Sequence, residues 1–99
     1  MLNFLFGPSH NVVAEARQLV DRGAFLLDVR TPGEFDSGHV EGAVNIPVQS
    51  LAQRLMELPP TDKPVVVYCR SGGRSAQAAA LLRQAGWTEV HDVGPMPPW

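Results

Sequence analysis

Residues 64–86 read PVVVYCRSGGRSAQAAALLRQAG, and this stretch decides the fold. Its three consecutive valines, residues 65–67, leave no polar face for water, which is typical of a strand covered on both faces of a parallel sheet. An alanine-rich segment with high helix propensity follows and stops at Gly86. A buried strand that passes through a short glycine loop into a helix predicts an α/β domain.

Helical and extended patterns alternate along the rest of the chain. Residues 11–23 carry apolar side chains at helical spacing, with Asn11 placed to cap the start of the helix and Gly23 to end it. Three further short segments are predicted to be extended: AFLLDV (24–29), GAVNIP (42–47) and TEVHDV (88–93). We therefore expect one domain over residues 1–99, with a mostly parallel central sheet flanked by helices.

Three other segments complete the predicted elements. Residues 50–58, SLAQRLMEL, predict a helix that begins with a capping box at Ser50 and turns its three leucines inward. Residues 31–39, TPGEFDSGH, predict a turn that contains about one turn of helix. The apolar start, residues 1–6, is predicted to be a β-like segment or an extended arm packed on the domain.

Composition excludes several classes of protein. The chain has 99 residues, of which 44% are hydrophobic and 18% charged, as in an ordinary soluble globule. The net charge is -2 without a basic block, so we expect no nucleic-acid partner. No apolar run approaches the roughly 20 residues that cross a bilayer, so we expect no membrane span. A single cysteine cannot form an internal disulfide, which favours a reducing compartment and predicts a cytoplasmic location.

The cysteine lies where α/β sheets place their chemistry. Cys69 ends the valine-rich strand, and open parallel sheets bind ligands at the carboxyl ends of their strands. Gly72 and Gly73 allow the backbone to curl so that successive N–H groups point inward, and the helix start adds its positive end. Together with Arg70 and Arg74, this setting lowers the pKa of a thiol below its free value of about 8.5. The loop therefore predicts an activated thiolate nucleophile that needs no histidine base.

A purely structural role for the cysteine has to be weighed against this prediction. A cysteine after three valines is often only a small buried apolar residue, but the glycines and arginines of the loop favour a nucleophile. Two arginines suit an anionic substrate. Four residues separate Cys69 from Arg74, one fewer than in cysteine phosphatases. The smaller loop suits one extra sulfur atom on Cys69 better than a phosphoryl group.

Three stretches resemble the rhodanese family, and in particular its single-domain sulfurtransferases. LLDVRTPGEFDSGHVEGAVNIP (26–47) is similar to the family's first signature, with Asp-x-Arg after a strand, then Glu, Gly-His and Gly-Ala-x-Asn-Ile-Pro. VVVYCRSGGRSAQAAALLRQAGW (65–87) resembles its active-site strand, loop and helix. VGPMPPW (93–99) resembles its closing segment, although Gly-Pro stands where the family often has Gly-Gly. This departure predicts a more open wall beside the site.

The resemblance implies a sulfurtransferase mechanism. Cys69 would attack the outer sulfur of a small anionic donor such as thiosulfate, hold it as a persulfide, and pass it to a thiophilic acceptor such as cyanide, a thiol or a protein. The substrate-binding residues implied are those whose backbone N–H groups surround the persulfide: Arg70, Ser71, Gly72, Gly73, Arg74 and Ser75. Arg70 would face the incoming anion. Arg74 has two open roles, which are to bind substrate or to brace the loop through a carboxylate such as Glu34.

Other chemically prominent residues are expected to be structural. Asp28 and Arg30 are expected to tie the first strand to nearby loops, and His39 to make a hydrogen bond within a turn. The three histidines are scattered without ligand spacing, so we expect no metal site and no cofactor. Trp87 and Trp99 are predicted to anchor the core or its rim.

Three rival functions remain open at this point. The first is a carrier module that delivers the persulfide sulfur to a dedicated partner protein. The second is a cysteine-dependent phosphatase or arsenate reductase, which the short loop disfavours. The third is an inactive binding module, which the intact cysteine and loop glycines disfavour.

Overall fold

The chain forms a four-stranded parallel sheet. The computed structural model describes residues 10–99, so the expectation for residues 1–6 lies outside the described residues. The elements in chain order are α1 (His10–Asp21), β1 (Phe25–Asp28), α2 (Pro32–Asp36), β2 (Val44–Asn45), α3 (Val48–Leu51), a 3-10 turn (Leu55–Glu57), β3 (Val65–Cys69), α4 (Gly73–Gln84) and β4 (Val90–Pro95). The strands are all parallel in the order β2-β1-β3-β4, which confirms the predicted fold class.

The valine-rich strand β3 is central because apolar residues cover both of its faces. All five of its residues are buried. Val65 and Val67 belong to one core cluster, shared with α3 and α4, whereas Val66 and Tyr68 belong to a second cluster shared with α1. Alternate side chains of a strand point to opposite faces, so the two clusters lie on opposite faces of the sheet. This arrangement explains why the strand has no polar face in the sequence.

The predicted helix over residues 50–58 is wrong in its extent. Helix α3 begins earlier, at Val48, and ends at Leu51, and only a 3-10 turn follows at Leu55–Glu57. Arg54 leaves the helical region, with φ -121° and ψ 22°. The three leucines still meet the core, with Leu51 buried and Leu55 and Leu58 packed against its edge. Core packing thus outweighed the capping signal at Ser50, since a bent segment keeps all three leucines on the core.

The ends of the two long helices follow the predicted glycine signals. Gly23 comes two residues after α1, and Gly86 comes two residues after α4, with φ values of 104° and 113°. Such values belong to the left-handed region, which glycine adopts without a steric penalty. The start of α1 differs slightly, because the helix begins at His10, one residue before the predicted cap Asn11.

A buried ion pair fixes the chain where it leaves β1. The Arg30 guanidinium donates to the Asp28 carboxylate at 2.7 Å and to the Gly38 carbonyl at 2.7 Å. Both charged residues are buried, with Asp28 at 0% and Arg30 at 6% exposure. The Asn45 side chain donates to the Asp28 carbonyl and to the Arg30 carbonyl. The predicted structural role of Asp28 and Arg30 is confirmed, because they tie β1 to the loop that carries α2.

None of the helices within residues 10–99 combines the length and the apolar character needed to cross a bilayer.

Candidate active site

Cys69 is the last residue of β3 and lies at the carboxyl edge of the sheet, as predicted. Its side chain is fully buried. In the sheet register it stands beside Pro95 of β4. The chain then turns through Arg70–Gly72 and enters α4 at Gly73. The strand, the loop and the helix start therefore converge on one thiol, which is the only one in the chain.

Gly72 directs the loop back toward the sulfur. Its φ of 105° lies in the left-handed region, and it is the N-cap residue of α4. In this conformation its N–H donates to the Cys69 Sγ at 2.8 Å. Gly73 is different, because it has no positive φ and a Cβ placed there would meet nothing within 4 Å. Of the two loop glycines, only Gly72 is required by the backbone.

A Gly72→Ala substitution is expected to destabilise the protein by about 1–2 kcal/mol, the strain of a side chain at positive φ. It should also slow alkylation of Cys69, because relief of that strain would turn the Gly72 N–H away from the sulfur. Urea unfolding and the rate of iodoacetamide modification measure the two effects. Gly73→Ala is the matched control for stability, since its backbone accepts alanine at the start of a helix. Equal stability of the two variants would contradict this account of the loop.

Hydrogen bonds of the loop control the ionisation of the thiol. Burial by itself raises the pKa of Cys69, but the Ser75 side chain and the backbone N–H groups of Ser75, Gly72 and Ser71 more than offset it. The net result is a thiol pKa below its ordinary value. The prediction of an activated thiol agrees with this direction. The main cause, however, is hydrogen bonding and not the charges of the two arginines.

The two arginines of the loop have different environments. Arg74 forms a bidentate pair with Glu34 of α2, with Nη1–Oε1 at 2.7 Å and Nη2–Oε2 at 3.0 Å. Arg70 points outward, with 77% of its side chain exposed and its Nη1 3.9 Å from Glu34 Oε2. Of the two roles left open for Arg74, the structure shows the brace to Glu34. Arg70 keeps its guanidinium accessible to an anion.

Glu34 is held in place from two sides. It accepts from Arg74, and it also completes a capping box with Thr31, whose backbone N–H donates to Glu34 Oε1 at 2.9 Å. The hydrogen bond from Arg74 and then that from the Thr31 backbone lower the pKa of Glu34 to about 2. The carboxylate therefore stays ionised at neutral and mildly acidic pH, and it joins α2 to the active-site loop.

Glu34→Gln is expected to lower stability at neutral pH and to lose its effect in acid. A carboxyl whose pKa is depressed on folding stabilises the protein above its unfolded pKa of about 4.3, and the contribution disappears as the pH falls through the folded pKa of about 2. The difference in urea midpoint between wild type and variant should thus shrink steadily below pH 4. A double-mutant cycle with Arg74→Gln checks that the pair is the source. A difference that stays constant down to pH 3 would contradict this expectation.

A cavity of about 480 Å³ opens at the carboxyl edge of the sheet. Six residues line it: Arg30, Glu34, Ser37, Arg70, Pro95 and Met96. Arg70 follows Cys69 in the chain and Pro95 adjoins it in the sheet, so the cavity lies at the end of β3, although the buried Cys69 does not itself line it. Pro95 and Met96 supply an apolar wall, and they belong to the closing segment that the sequence placed beside the site without singling out these two residues. Their place in the closing segment, VGPMPPW, was the available signal.

The remaining polar and aromatic residues serve the scaffold. His39 Nδ1 lies 2.8 Å from the Phe35 carbonyl, in line with the hydrogen bond within a turn that was predicted for it. Its ring also stacks on that of Phe35. Trp87 is buried in the core and donates to the Pro59 carbonyl. Trp99 packs against the cluster that contains Val66 and Tyr68. Within residues 10–99, no group of three or more His, Cys, Asp or Glu side chains is placed to hold a metal ion.

Comparison with known proteins gives one consistent family. The family model for the rhodanese-like domain matches residues 12–94. The uncharacterized protein YqhL of Bacillus subtilis is 50% identical over 72 residues, which is 73% of this chain and 56% of that protein. The thiosulfate sulfurtransferase PspE of Escherichia coli is 38% identical over 69 residues, which is 69% of this chain and 66% of that protein. The chain thus spans less than two thirds of the length of either relative.

A solved structure agrees with the sequence relatives. The human single-domain sulfurtransferase superposes with a TM-score of 0.70 at 32% identity, over 81% of this chain and 83% of that one.

Proposed function

Because the chain belongs to the rhodanese-like domain family, we propose that it is a sulfurtransferase that carries sulfur as a persulfide on Cys69. The observation that supports this most directly is the buried Cys69 thiol, whose pKa is lowered by hydrogen bonds that converge from its own loop. A lowered pKa increases the fraction of thiolate, which is the nucleophilic form. Relatives named sulfurtransferases support the same reaction class.

The proposed reaction has two halves. In the first, the Cys69 thiolate attacks the outer sulfur of a donor such as thiosulfate, an S–S bond forms, and the bond to the sulfonate sulfur breaks with its electron pair leaving on sulfite. In the second, a thiophile such as cyanide or a thiol attacks the outer sulfur, and Cys69 leaves as a thiolate. No redox cofactor is required, because each half exchanges one sulfur bond for another.

The roles of the loop residues follow from their contacts. We assign the N–H groups of the loop from Arg70 to Ser75 to the persulfide, since that of Gly72 already donates to Sγ at 2.8 Å. Arg70 is assigned to the anionic donor, because its guanidinium is exposed at the cavity and is only loosely paired. Arg74 is assigned to bracing, because both terminal nitrogens of its guanidinium donate to the Glu34 carboxylate. Charge-assisted contacts of this kind are stronger than neutral hydrogen bonds.

Intact mass spectrometry of the reduced protein after incubation with thiosulfate tests the proposal. We expect a gain of one sulfur atom, its removal by cyanide, and the appearance of thiocyanate. If the thiol is shown to be free and no adduct forms with thiosulfate or other sulfur donors, the proposed function is wrong. Hydrolysis of an aryl phosphate that depends on Cys69 would instead support the phosphatase alternative.

Delivery of the sulfur to a partner protein is a second candidate function. The mouth of the cavity presents an exposed cation, Arg70, and an apolar side chain, Met96, which is 42% exposed. Arginine and methionine are enriched at protein interfaces. Fast transfer to one protein with weak turnover of small thiophiles would favour this function, whereas equal turnover of small thiophiles would count against it. In either case we propose a cytoplasmic site of action, because a lone reactive thiol persists in a reducing compartment.

A further inference from the structure

The Ser75 hydroxyl group contacts the sulfur of Cys69. Ser75 lies in the first turn of α4 and is fully buried. Its Oγ is 3.4 Å from Cys69 Sγ, with the thiol as donor, and it donates in turn to the Gly72 carbonyl at 3.1 Å. A chain of two hydrogen bonds thus runs from the thiol through the hydroxyl to the loop backbone when Cys69 is protonated.

Ionisation of the thiol breaks the first of these two hydrogen bonds, the one from the thiol to Ser75. A thiolate has no proton to donate, and the oxygen of Ser75 would then face a negative sulfur with its lone pairs. Rotation of the hydroxyl about its Cβ–Oγ bond turns the O–H toward the sulfur instead. The Gly72 carbonyl does not become unsatisfied, because it also accepts the Ala76 backbone N–H at 3.1 Å. The rotation therefore exchanges a neutral hydrogen bond for a charge-assisted one at little cost.

We propose that the Ser75 hydroxyl is a catalytic hydrogen-bond donor that follows the charge on Cys69 Sγ. It donates to the Gly72 carbonyl when the sulfur is neutral, as a thiol or as the inner sulfur of a persulfide. It donates to Sγ when the sulfur is a thiolate. On ionisation the thiol proton leaves to solvent, and the hydroxyl keeps its own proton throughout.

The Ser75 hydroxyl would act twice in the sulfurtransferase cycle, a part of the inference that rests on the proposed function. Before Cys69 attacks the sulfur donor, the hydroxyl increases the fraction of thiolate. When the thiophile removes the outer sulfur, the S–S electron pair returns to Sγ, and the hydroxyl stabilises the charge that develops there. A hydrogen bond that strengthens as charge develops lowers the barrier to the chemical step.

Most of the charged side chains on the elements that surround the active-site loop have partners other than the sulfur. They are Asp28 of β1, Arg30 just after it, Glu34 of α2, Arg70 of the loop, Arg74 of α4 and Asp92 of β4. Asp28 pairs with Arg30, Glu34 with Arg74, and Asp92 accepts the Gly94 N–H. Among the described residues, Ser75 is the side-chain hydrogen-bond partner of the sulfur, since the Cys69 thiol donates to its Oγ. Deleting its hydroxyl therefore changes the environment of the thiol without breaking an ion pair.

The thiol pKa of a Ser75→Ala variant tests the proposal. The pH dependence of iodoacetamide alkylation reports this pKa directly, because the chain has one cysteine. We expect a rise of about one unit, a tenfold shift toward the thiol. Ser75→Thr, which keeps the hydroxyl, should recover at least half of the shift. Ser50→Ala, which removes a serine hydroxyl from α3, is the matched control and should leave the pKa unchanged.

Infrared spectroscopy tests the protonated state separately. The single S–H band of the wild-type protein should move to higher frequency in Ser75→Ala, because the thiol loses its acceptor. An unchanged thiol pKa in Ser75→Ala, an equal shift in Ser75→Thr, or an unmoved S–H band would each overturn the proposal. Circular dichroism establishes that the variants are folded. Neither measurement uses a sulfur donor, so a failure here is distinct from a failure of the proposed function.

Discussion

Replacing Cys69 by serine is expected to abolish persulfide formation and to lower sulfur transfer by at least about a thousandfold. A serine hydroxyl is a weak nucleophile without an adjacent base, and the hydrogen bonds that lower the pKa of the Cys69 thiol cannot ionise an alcohol near neutral pH. No second thiol can take over, because the chain has one cysteine. Intact mass after incubation with thiosulfate, together with the rate of thiocyanate formation, measures the loss.

The Cys69→Ser result depends on an intact fold. The thiol is buried, so the variant must be compared with the wild type by circular dichroism and urea unfolding. Addition of one sulfur atom to a folded Cys69→Ser protein would mean that Cys69 is not the carrier. Loss of the adduct with unchanged secondary structure is the outcome that the proposed chemistry requires.

Asp28→Asn is expected to have the largest effect on stability, about 3–5 kcal/mol. The substitution keeps the size of the side chain but removes the charge that neutralises Arg30, and it places an N–H group against guanidinium N–H groups. Both residues are buried, and the pair is joined by three side-chain contacts of 2.7–3.1 Å. A loss of this size is a large share of a total stability of about 5–15 kcal/mol. Urea unfolding at neutral pH measures it.

Glu57→Gln is the matched control for this prediction. It makes the same carboxylate-to-amide change in another arginine pair, since Glu57 Oε2 lies 2.7 Å from Arg54 Nε. That pair is exposed to solvent, and exposed pairs contribute little. We expect almost no change in the urea midpoint. A similar loss in both variants would show that burial does not decide the value of these ion pairs.

Local signals predicted most of the scaffold. The run of valines identified β3 because a strand covered on both faces has no polar side, and glycine marked the ends of α1 and α4 because the chain needs a left-handed turn there. The prediction of a helix over residues 50–58 was wrong in its extent, because no local signal set the length of that helix. Its leucine spacing was correct, but the path of the chain over the core, and not local propensity, set its length.

The sequence singled out the residues of the candidate site but only part of their interactions. Cys69 and the loop from Arg70 to Ser75 could be identified because glycines and charges cluster in a few consecutive residues. The sequence attributed the lowered thiol pKa to the inward N–H groups of the loop, the helix start and the two arginines together. The structure assigns most of that effect to hydrogen bonds, because Arg74 is paired with Glu34 and Arg70 points outward.

By itself, the sequence determined the α/β class, the central strand, and the position of one thiol at the carboxyl edge of the sheet. These features depend on residues that are neighbours in the chain, so their pattern is visible along it. Only the tertiary structure decided which carboxylate holds Arg74, that Pro95 and Met96 form a wall of the cavity, and that the Ser75 hydroxyl reaches the sulfur. Such contacts depend on how α2, β4 and α4 meet at the sheet edge, and angstrom-scale distances between separate elements leave no periodic trace in a sequence.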